Sequence, residues 1–398
     1  VSLEPAPGEA AVANGSIVDV VSRKGSYLGS GLLSEKSKIR IRLITRNAND
    51  RFDRAFWKRK VQWAWNYRKT VMGADASACR VLFSEADGFP GLVVDRFEDV
   101  LVAETLSVGM ERLKPMIFPA LLEVLAEDGI AIRGLYERND ASTRSLEGLA
   151  QTAGWFAGTA EDAACSLDPI NPSQPEAAVF GPATTQIMEN GVRYEVDFEN
   201  GQKTGFFLDQ KYNRRAVAQL AAGRRVLDCF THTGSFALNA AHGGAEYVNA
   251  VDVSELAVAQ ARKNAQLNEL DGKMDFTAAN VFDLLPQLEA AHDRTYDFIV
   301  LDPPAFTKSR KTIDSAARGY KEINYRAMKL LPRGGYLATC SCSHFMDTER
   351  FRRVVSYAAQ DAGVQLRQIE ERQQAPDHPI LWGVPETDYL KFFLFQVV

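Results

Sequence analysis

Cysteine is scarce in this 398-residue chain: there are five, an odd number, thinly spread and without a CxxC pair. That usage argues against a disulfide scaffold and offers no paired spacing for structural zinc, so a reducing cytoplasm suits the chain best. No apolar run approaches the roughly 18 to 20 residues that would cross a bilayer, and a protein with no membrane partner is expected. Residues 1–13 are acidic and small rather than basic and apolar, unlike a secretory leader. Residue 1 is Val and not Met, so sequence upstream of it is expected to have been removed. The length exceeds what one hydrophobic core usually organises, and two or three domains are expected.

Net charge is also low, at -5, but it conceals an asymmetry. Residues 22–69 hold 14 Lys and Arg against 3 Asp and Glu, while the remainder holds 32 basic and 48 acidic residues. A basic amino-terminal module on an acidic body suits a polyanion held at one end, because neutralised phosphates release counterions. The plainer alternative is a solvated basic face. Within this module Lys38, Arg40 and Arg42 alternate with Ile39, Ile41 and Leu43, the pattern of a strand with one basic face. A helix is expected over Asn49–Tyr67, closing a small β-domain that ends near residue 70.

Cys79 to Glu137 reads as a compact α+β unit, with turn chemistry at Gly88, Pro90 and Gly91 and a helix over Glu111–Glu127. From Gly148 to Thr185 the text turns to Ala, Gly, Pro and Ser, which predicts a linker or surface excursion. After Arg193, near-continuous apolar strands alternate with helices. This predicts a mostly parallel, doubly wound α/β sheet, whose ligands bind beyond the carboxyl ends of the strands.

The motifs fall at those ends. The first strand runs into Asp228-Cys229-Phe230-Thr231-His232-Thr233-Gly234-Ser235-Phe236, a strand-helix turn with one glycine. The several glycines of GxGxxG, which let a pyrophosphate approach a helix amino terminus, are missing. A ligand without phosphates fits better. Asp252, closing the second strand, can accept ribose hydroxyls, and Asn280, closing the third, can meet an adenine edge. Together they point to S-adenosylmethionine. Each residue also has an ordinary structural role open to it: packing for the glycine, helix capping for the carboxylate.

The fourth strand ends in Asp302-Pro303-Pro304-Ala305-Phe306, and the fifth in Cys340-Ser341-Cys342-Ser343-His344. A carboxylate in a rigid double-proline turn can hydrogen-bond a ring edge, and Phe306 can stack on a base. C5 of cytosine is not nucleophilic, so methylating it requires a thiolate to add at C6 first. A cysteine beside Asp302 meets that need. The competing readings are buried thiols that only fill space and a metal site; CxCxH lacks a separated second ligand pair, so no metal is expected.

With these motifs placed, the chain resembles the ribosomal RNA large-subunit methyltransferase I family, bacterial cytosine-C5 enzymes. The matching segments are KSKIRIRL, EADGFPGLVVDRF, LYERND, GQKTGFFLDQKYNR, DCFTHTGSF, VLDPPAF, ARGYKEIN and CSCS, spread over nearly the whole chain. The resemblance implies a PUA-like RNA-binding domain over residues 1–70, a small α+β domain over 71–192 and a class I methyltransferase domain over 193–398. It implies that S-adenosylmethionine contacts Phe206, Asp209, Gln210, Asp228, Thr231, Gly234, Ser235, Asp252, Asn280 and Asp302. Cys342 takes the place of the nucleophile, Asp302 acts beside it, and Cys340 ranks second. Lys38, Arg40, Arg42 and Phe306 are the expected RNA contacts. The expected partner is ribosomal RNA, of the 23S type, and a homodimer stays open. Three departures stand out. Pro304 and Ala305 occupy the place where other RNA cytosine-C5 enzymes carry a cysteine, His232 stands where tyrosine is frequent, and the family's first strand and helix would precede Val1. Two other readings remain: methylation of a purine nitrogen or exocyclic amine, which needs no thiol, and a non-catalytic RNA-binding assembly factor.

Overall fold

Helix caps and apolar strands mark out the elements along the chain, which the structure, a computed structural model, describes over residues 3–4, 11–156, 179–307 and 309–398. They fall into two units, Val1–Ile187 with Glu195–Leu208 and Pro376–Thr387, and Met188–Tyr194 with Asp209–Ala375 and Asp388–Val398.

In the first unit, β1 (Ile17–Val21), β2 (Tyr27–Leu33) and β3 (Ile41–Thr45) form an antiparallel sheet in that order. Helix α1 (Arg54–Met72) begins where Asp53 accepts a hydrogen bond from Phe56 N, five residues later than expected. A second sheet follows. It is built from β4 (Ala78–Phe83), then, after the single turn α2 (Ser84–Asp87), β5 (Leu92–Phe97) and β6 (Val100–Thr105), and then, after α3 (Val108–Glu127), β7 (Gly134–Asn139) and β8 (Thr152–Trp155). Only β6 and β7 pair in parallel, as the intervening helix allows. Helix α1 packs on α3 and β4, which its apolar face of Phe56, Trp57, Val61 and Trp65 makes possible.

Two expectations change here. Ile39 and Leu43 are exposed while Ile44 is buried, so the simple alternation of a basic and an apolar face fails. β3 begins only at Ile41, so Lys38, Ile39 and Arg40 lie outside it, and within it consecutive residues Gly31 and Ser30 face Leu43 and Thr45, leaving Ile44 as a bulge that reverses the side-chain sense. The stretch expected to be linker contains β8, whose Trp155 is buried edge-on against Tyr136. Of that excursion, residues 157–178 lie outside the described residues, and its end, from Thr184, enters a further strand. The division between units falls within a hairpin of β9 (Thr184–Glu189) and β10 (Val192–Asp197).

The second unit holds α4 (Lys211–Leu220), β11 (Arg225–Cys229), α5 (Ser235–His242), β12 (Tyr247–Asp252), α6 (Glu255–Leu267), β13 (Met274–Ala278), α7 (Val281–Ala290), β14 (Phe298–Leu301), α8 (Ile313–Leu330), β15 (Tyr336–Ser341), α9 (Thr348–Ala362), β16 (Leu366–Arg372) and β17 (Lys391–Val397). Its seven-stranded sheet runs β13-β12-β11-β14-β15-β17-β16. The first five strands run parallel, β17 runs antiparallel to them, and β16 pairs antiparallel with β17 and so returns to their direction. This is the doubly wound α/β sheet expected. All four residues of β14 are buried, as a strand covered on both faces requires. Leu227, Ile299, Leu301, Tyr320, Phe351 and Phe393 share one core on the α8 and α9 side, each contributing about 2 kcal/mol by burial. Parallel register aligns Asp228 with Val300 and Cys229 with Leu301, so the turns after β11 and β14 leave the sheet side by side. Among the described residues no helix is long and apolar enough to cross a membrane.

Candidate active site

The turn between β11 and α5 is wound tightly by three left-handed residues, Phe230 (φ 65°), His232 (φ 51°) and Gly234 (φ 84°). Such a backbone costs non-glycine residues about 1 kcal/mol or more each and persists only where its surroundings enforce it. Here the enforcement is visible. His232 N donates to Asp252 Oδ2 at 3.0 Å, and Thr231 N donates to the carbonyl of Val251 at 2.9 Å. A Cβ on Gly234 would stand 2.9 Å from Ala261 Cβ, so the glycine lets α6 approach the turn.

Inside this turn Asp228 is fully buried, and its Oδ2 accepts from Thr231 Oγ1 at 2.5 Å and Ala237 N at 2.9 Å. Burial, outweighing those bonds, raises its carboxyl to about 7. Ser235 is buried in the first turn of α5, where its carbonyl accepts from Asn239 Nδ2. Asp252 takes His232 N on one oxygen and Ser254 N on the other. Each oxygen keeps a lone pair for a hydroxyl. Asn280 is exposed and caps α7, with Oδ1 accepting from Phe282 N and Nδ2 donating to Asp283. Both ends of its amide are therefore engaged.

Asp302 follows β14 directly. Its Oδ1 accepts from Gln210 Nε2 at 2.9 Å, and Gln210 Oε1 in turn accepts from Asn213 Nδ2 at 2.6 Å. Burial, reinforced by the charge of Asp209, raises the Asp302 carboxyl to about 7, against the pull of Arg214. Asp209 itself accepts from the Tyr389 hydroxyl at 2.7 Å. Cys340 is fully buried and hydrogen-bonded to Asp302 and Gln210, and burial drives its thiol far up.

Cys342 is different. It stands one residue past β15 and is part-exposed, whereas Cys79, Cys229 and Cys340 are buried. Its Sγ lies 3.9 Å from the carbonyl oxygen of Pro303 in the turn after Asp302. Burial and the charges of Asp302 and Asp209 push its thiol up to about 12, and Lys391 acts downward.

The structure thus brings Asp209, Gln210, Asp228, Thr231, Gly234, Ser235, Asp252, Asp302 and Cys342 to the strand ends of the second unit. Phe206 is buried in the first unit. Phe306 packs on Tyr320, with ring centroids 4.6 Å apart, and on Phe282 at 5.6 Å. In the first unit, Lys38 and Arg40 are exposed, but Arg42 is held by Glu147 at 3.2 Å and Glu85 at 3.7 Å. Asn213, Tyr389 and Lys391 were missed in the sequence. The one available signal was a lysine opening the apolar run KFFLFQVV.

A family model described as S-adenosylmethionine-dependent methyltransferase matches residues 133–395, and a PUA-like domain model matches residues 2–46. A ribosomal RNA large subunit methyltransferase I from Aliivibrio fischeri is 38% identical over 386 residues, covering 96% of this chain and 91% of that protein. The chain belongs to the ribosomal RNA large subunit methyltransferase I family. A member from Klebsiella pneumoniae is 36% identical over 97% of this chain and 90% of its own length. One from Cronobacter sakazakii is 37% identical over 98% and 92%. A solved Streptococcus mutans structure assigned to the SAM-dependent methyltransferases shares the fold, with a TM-score of 0.77 at 22% identity over 98% of this chain and 93% of that one.

As the family implies, the cofactor is S-adenosylmethionine, and the residues present fit it. Among the described residues, Asp228 Oδ1, Asp209 Oδ1 and Thr233 Oγ1 are buried without a hydrogen-bond partner. Such orphans are costly unless a ligand meets them. The single-glycine turn, built on a buried carboxylate and lacking a phosphate cradle, also suits an adenosyl ligand without phosphates.

Proposed function

We propose that this chain forms 5-methylcytosine in large-subunit ribosomal RNA of the 23S type, in the cytoplasm, as a single copy or a homodimer, with Cys342 as nucleophile. The observation that carries this reading is a part-exposed thiol at the end of β15 against the Asp302-Pro303 turn, while the other described cysteines are buried.

S-adenosylmethionine, when bound, supplies an electrophilic methyl group to this site. Asp209, Gln210, Asp228, Thr231, Gly234, Ser235, Asp252 and Asp302 are the residues proposed to hold it, with the backbone of the Phe230–Gly234 turn. Cys342 gives up its proton and adds to C6, and the C5–C6 π electrons move onto the ring so that C5 becomes nucleophilic. Asp302, whose carboxyl sits near 7, is protonated in a substantial fraction at neutral pH. It can then donate to the ring N3, drawing charge from C6 as sulfur attacks. After C5 has gained the methyl, transfer of its proton to a water molecule and cleavage of the S–C6 bond restore the aromatic ring and the free thiolate. In the first unit, the PUA-like segment offers Lys38 and Arg40 to RNA phosphates.

Exchange of Cys342 for Ala tests the reading. A cytosine-C5 enzyme loses essentially all turnover while calorimetry shows unchanged S-adenosylmethionine affinity. Retained turnover would favour a purine nitrogen or amine as target. No heat with the wild-type chain at millimolar cofactor would favour an assembly factor instead.

A further inference from the structure

A thiol pushed upward, as that of Cys342 is, makes a poor nucleophile unless some group stabilises its anion. Lys391, the first residue of β17, is such a group. Its backbone pairs with Ser341 of β15, the residue before Cys342, and its Nζ donates to the carbonyl of Ser343, the residue after it, at 2.7 Å. A second bond goes to the Tyr389 carbonyl at 2.8 Å. The ammonium is therefore held between its own strand and the carbonyl of the residue that follows the cysteine. Only 3% of Lys391 is exposed, and among the described residues it makes no ion pair with a carboxylate. A buried cation satisfied only by carbonyls lacks a counter-anion. Asp388 and Asp347 reach it through longer-range attraction, as does Cys342. Around the thiol, Asp302 after β14 and Asp209 before α4 oppose ionisation, Tyr320 of α8 faces it, and Lys391 is the cation that favours it.

We infer that Lys391 is a positioning residue for the reaction, holding its ammonium against the Cys342 segment as the counter-charge of the thiolate. This rests on Cys342 being the nucleophile, but it makes a claim about the thiol that can be read without turnover. The thiol proton leaves to solvent through the part-exposed side of Cys342, and Lys391 keeps its own proton. The arrangement gives a lysine at the start of an apolar strand a chemical reason to be there.

The test is the alkylation rate of Cys342 by iodoacetamide, resolved by peptide mass spectrometry, in the full chain from pH 7 to 10. Lys391→Met should slow alkylation about tenfold or more near pH 7, one pKa unit of thiolate being tenfold, and Lys391→Arg should restore most of the rate. The wild-type advantage should narrow above pH 8, because Lys391 itself sits near 8 and loses its charge there. A structural role would give no such pH dependence. Equal rates, or a ratio constant with pH, overturn the inference. Should Lys391→Met fail to fold, Lys391→Gln and the wild-type profile decide: the wild-type rate must rise less steeply above pH 8 than below it, and a uniform slope refutes the counter-charge. Loss of the alkylation effect with Cys342→Ala still inactive sinks Lys391 alone. The reverse result, a lysine-dependent thiol in a chain whose Cys342→Ala variant keeps turnover, sinks only the proposed mechanism.

Discussion

Adding one methyl group at Gly234 should uncouple the cofactor turn from α6, and its cost can be worked out from the backbone. With φ at 84° the residue is left-handed, a conformation that costs an alanine about 1 kcal/mol. The new Cβ would stand 2.9 Å from Ala261 Cβ and 3.2 Å from its Cα, well inside contact distance. Since α6 is capped by Ser254 and packed on β12 and β13, it yields only by strain, typically about 1 to 3 kcal/mol. Together these give about 2 to 4 kcal/mol, or a fall in melting temperature of about 5 to 15 °C for a unit of this size. Scanning calorimetry of Gly234→Ala reads the fall directly. Titration with S-adenosylmethionine should show weaker binding in the same variant, because the turn must shift. Combining it with Ala261→Gly removes the clash but not the left-handed cost, and introduces a helix glycine at about 1 kcal/mol, so recovery should be partial. A Gly234→Ala protein melting within about 1 °C of wild type would refute the close-approach account of this glycine.

Two further outcomes follow from charge. Asp228 and Asp302 ionise near 3.8 when unfolded but near 7 when folded, so between those values the folded chain holds more protons and stability falls as pH rises, by at most about 1.4 kcal/mol per pH unit for each carboxyl. Asp228→Asn, which keeps an acceptor for Thr231 and Ala237, should flatten the melting curve from pH 5 to 7; an unchanged slope would show that this carboxyl is not displaced. In the first unit, Lys38→Glu with Arg40→Glu should weaken RNA binding and lower its salt slope by up to about 0.7 to 0.9 per lost phosphate contact. Arg42→Glu should instead cost stability, as its guanidinium is engaged by Glu147 and Glu85. An RNA affinity that ignores the double reversal moves the RNA contact elsewhere.

Local patterns were enough for the sheet and the strand ends. The burial of β14 along its whole length, the single-glycine turn after Asp228, and the placement of Asp302 and Cys342 were all legible, because each is written in a few consecutive residues. The edge strand β16, which pairs antiparallel with β17, was not, since its mixed exposure carries no simple period. Nor was the bulge at Ile44, which arises only when β3 meets β2.

The sequence by itself determined the fold class, the order of the motifs and which cysteines could stand near Asp302. Only the tertiary structure decided what distant side chains spend their polar atoms on: Arg42 on two carboxylates, Lys391 on the carbonyl of Ser343 beside Cys342. Period and turn chemistry act between neighbours in the chain, whereas ion pairs and burial depend on partners tens to hundreds of residues away. Those partners are brought into register by pairing, and spacing alone does not record it.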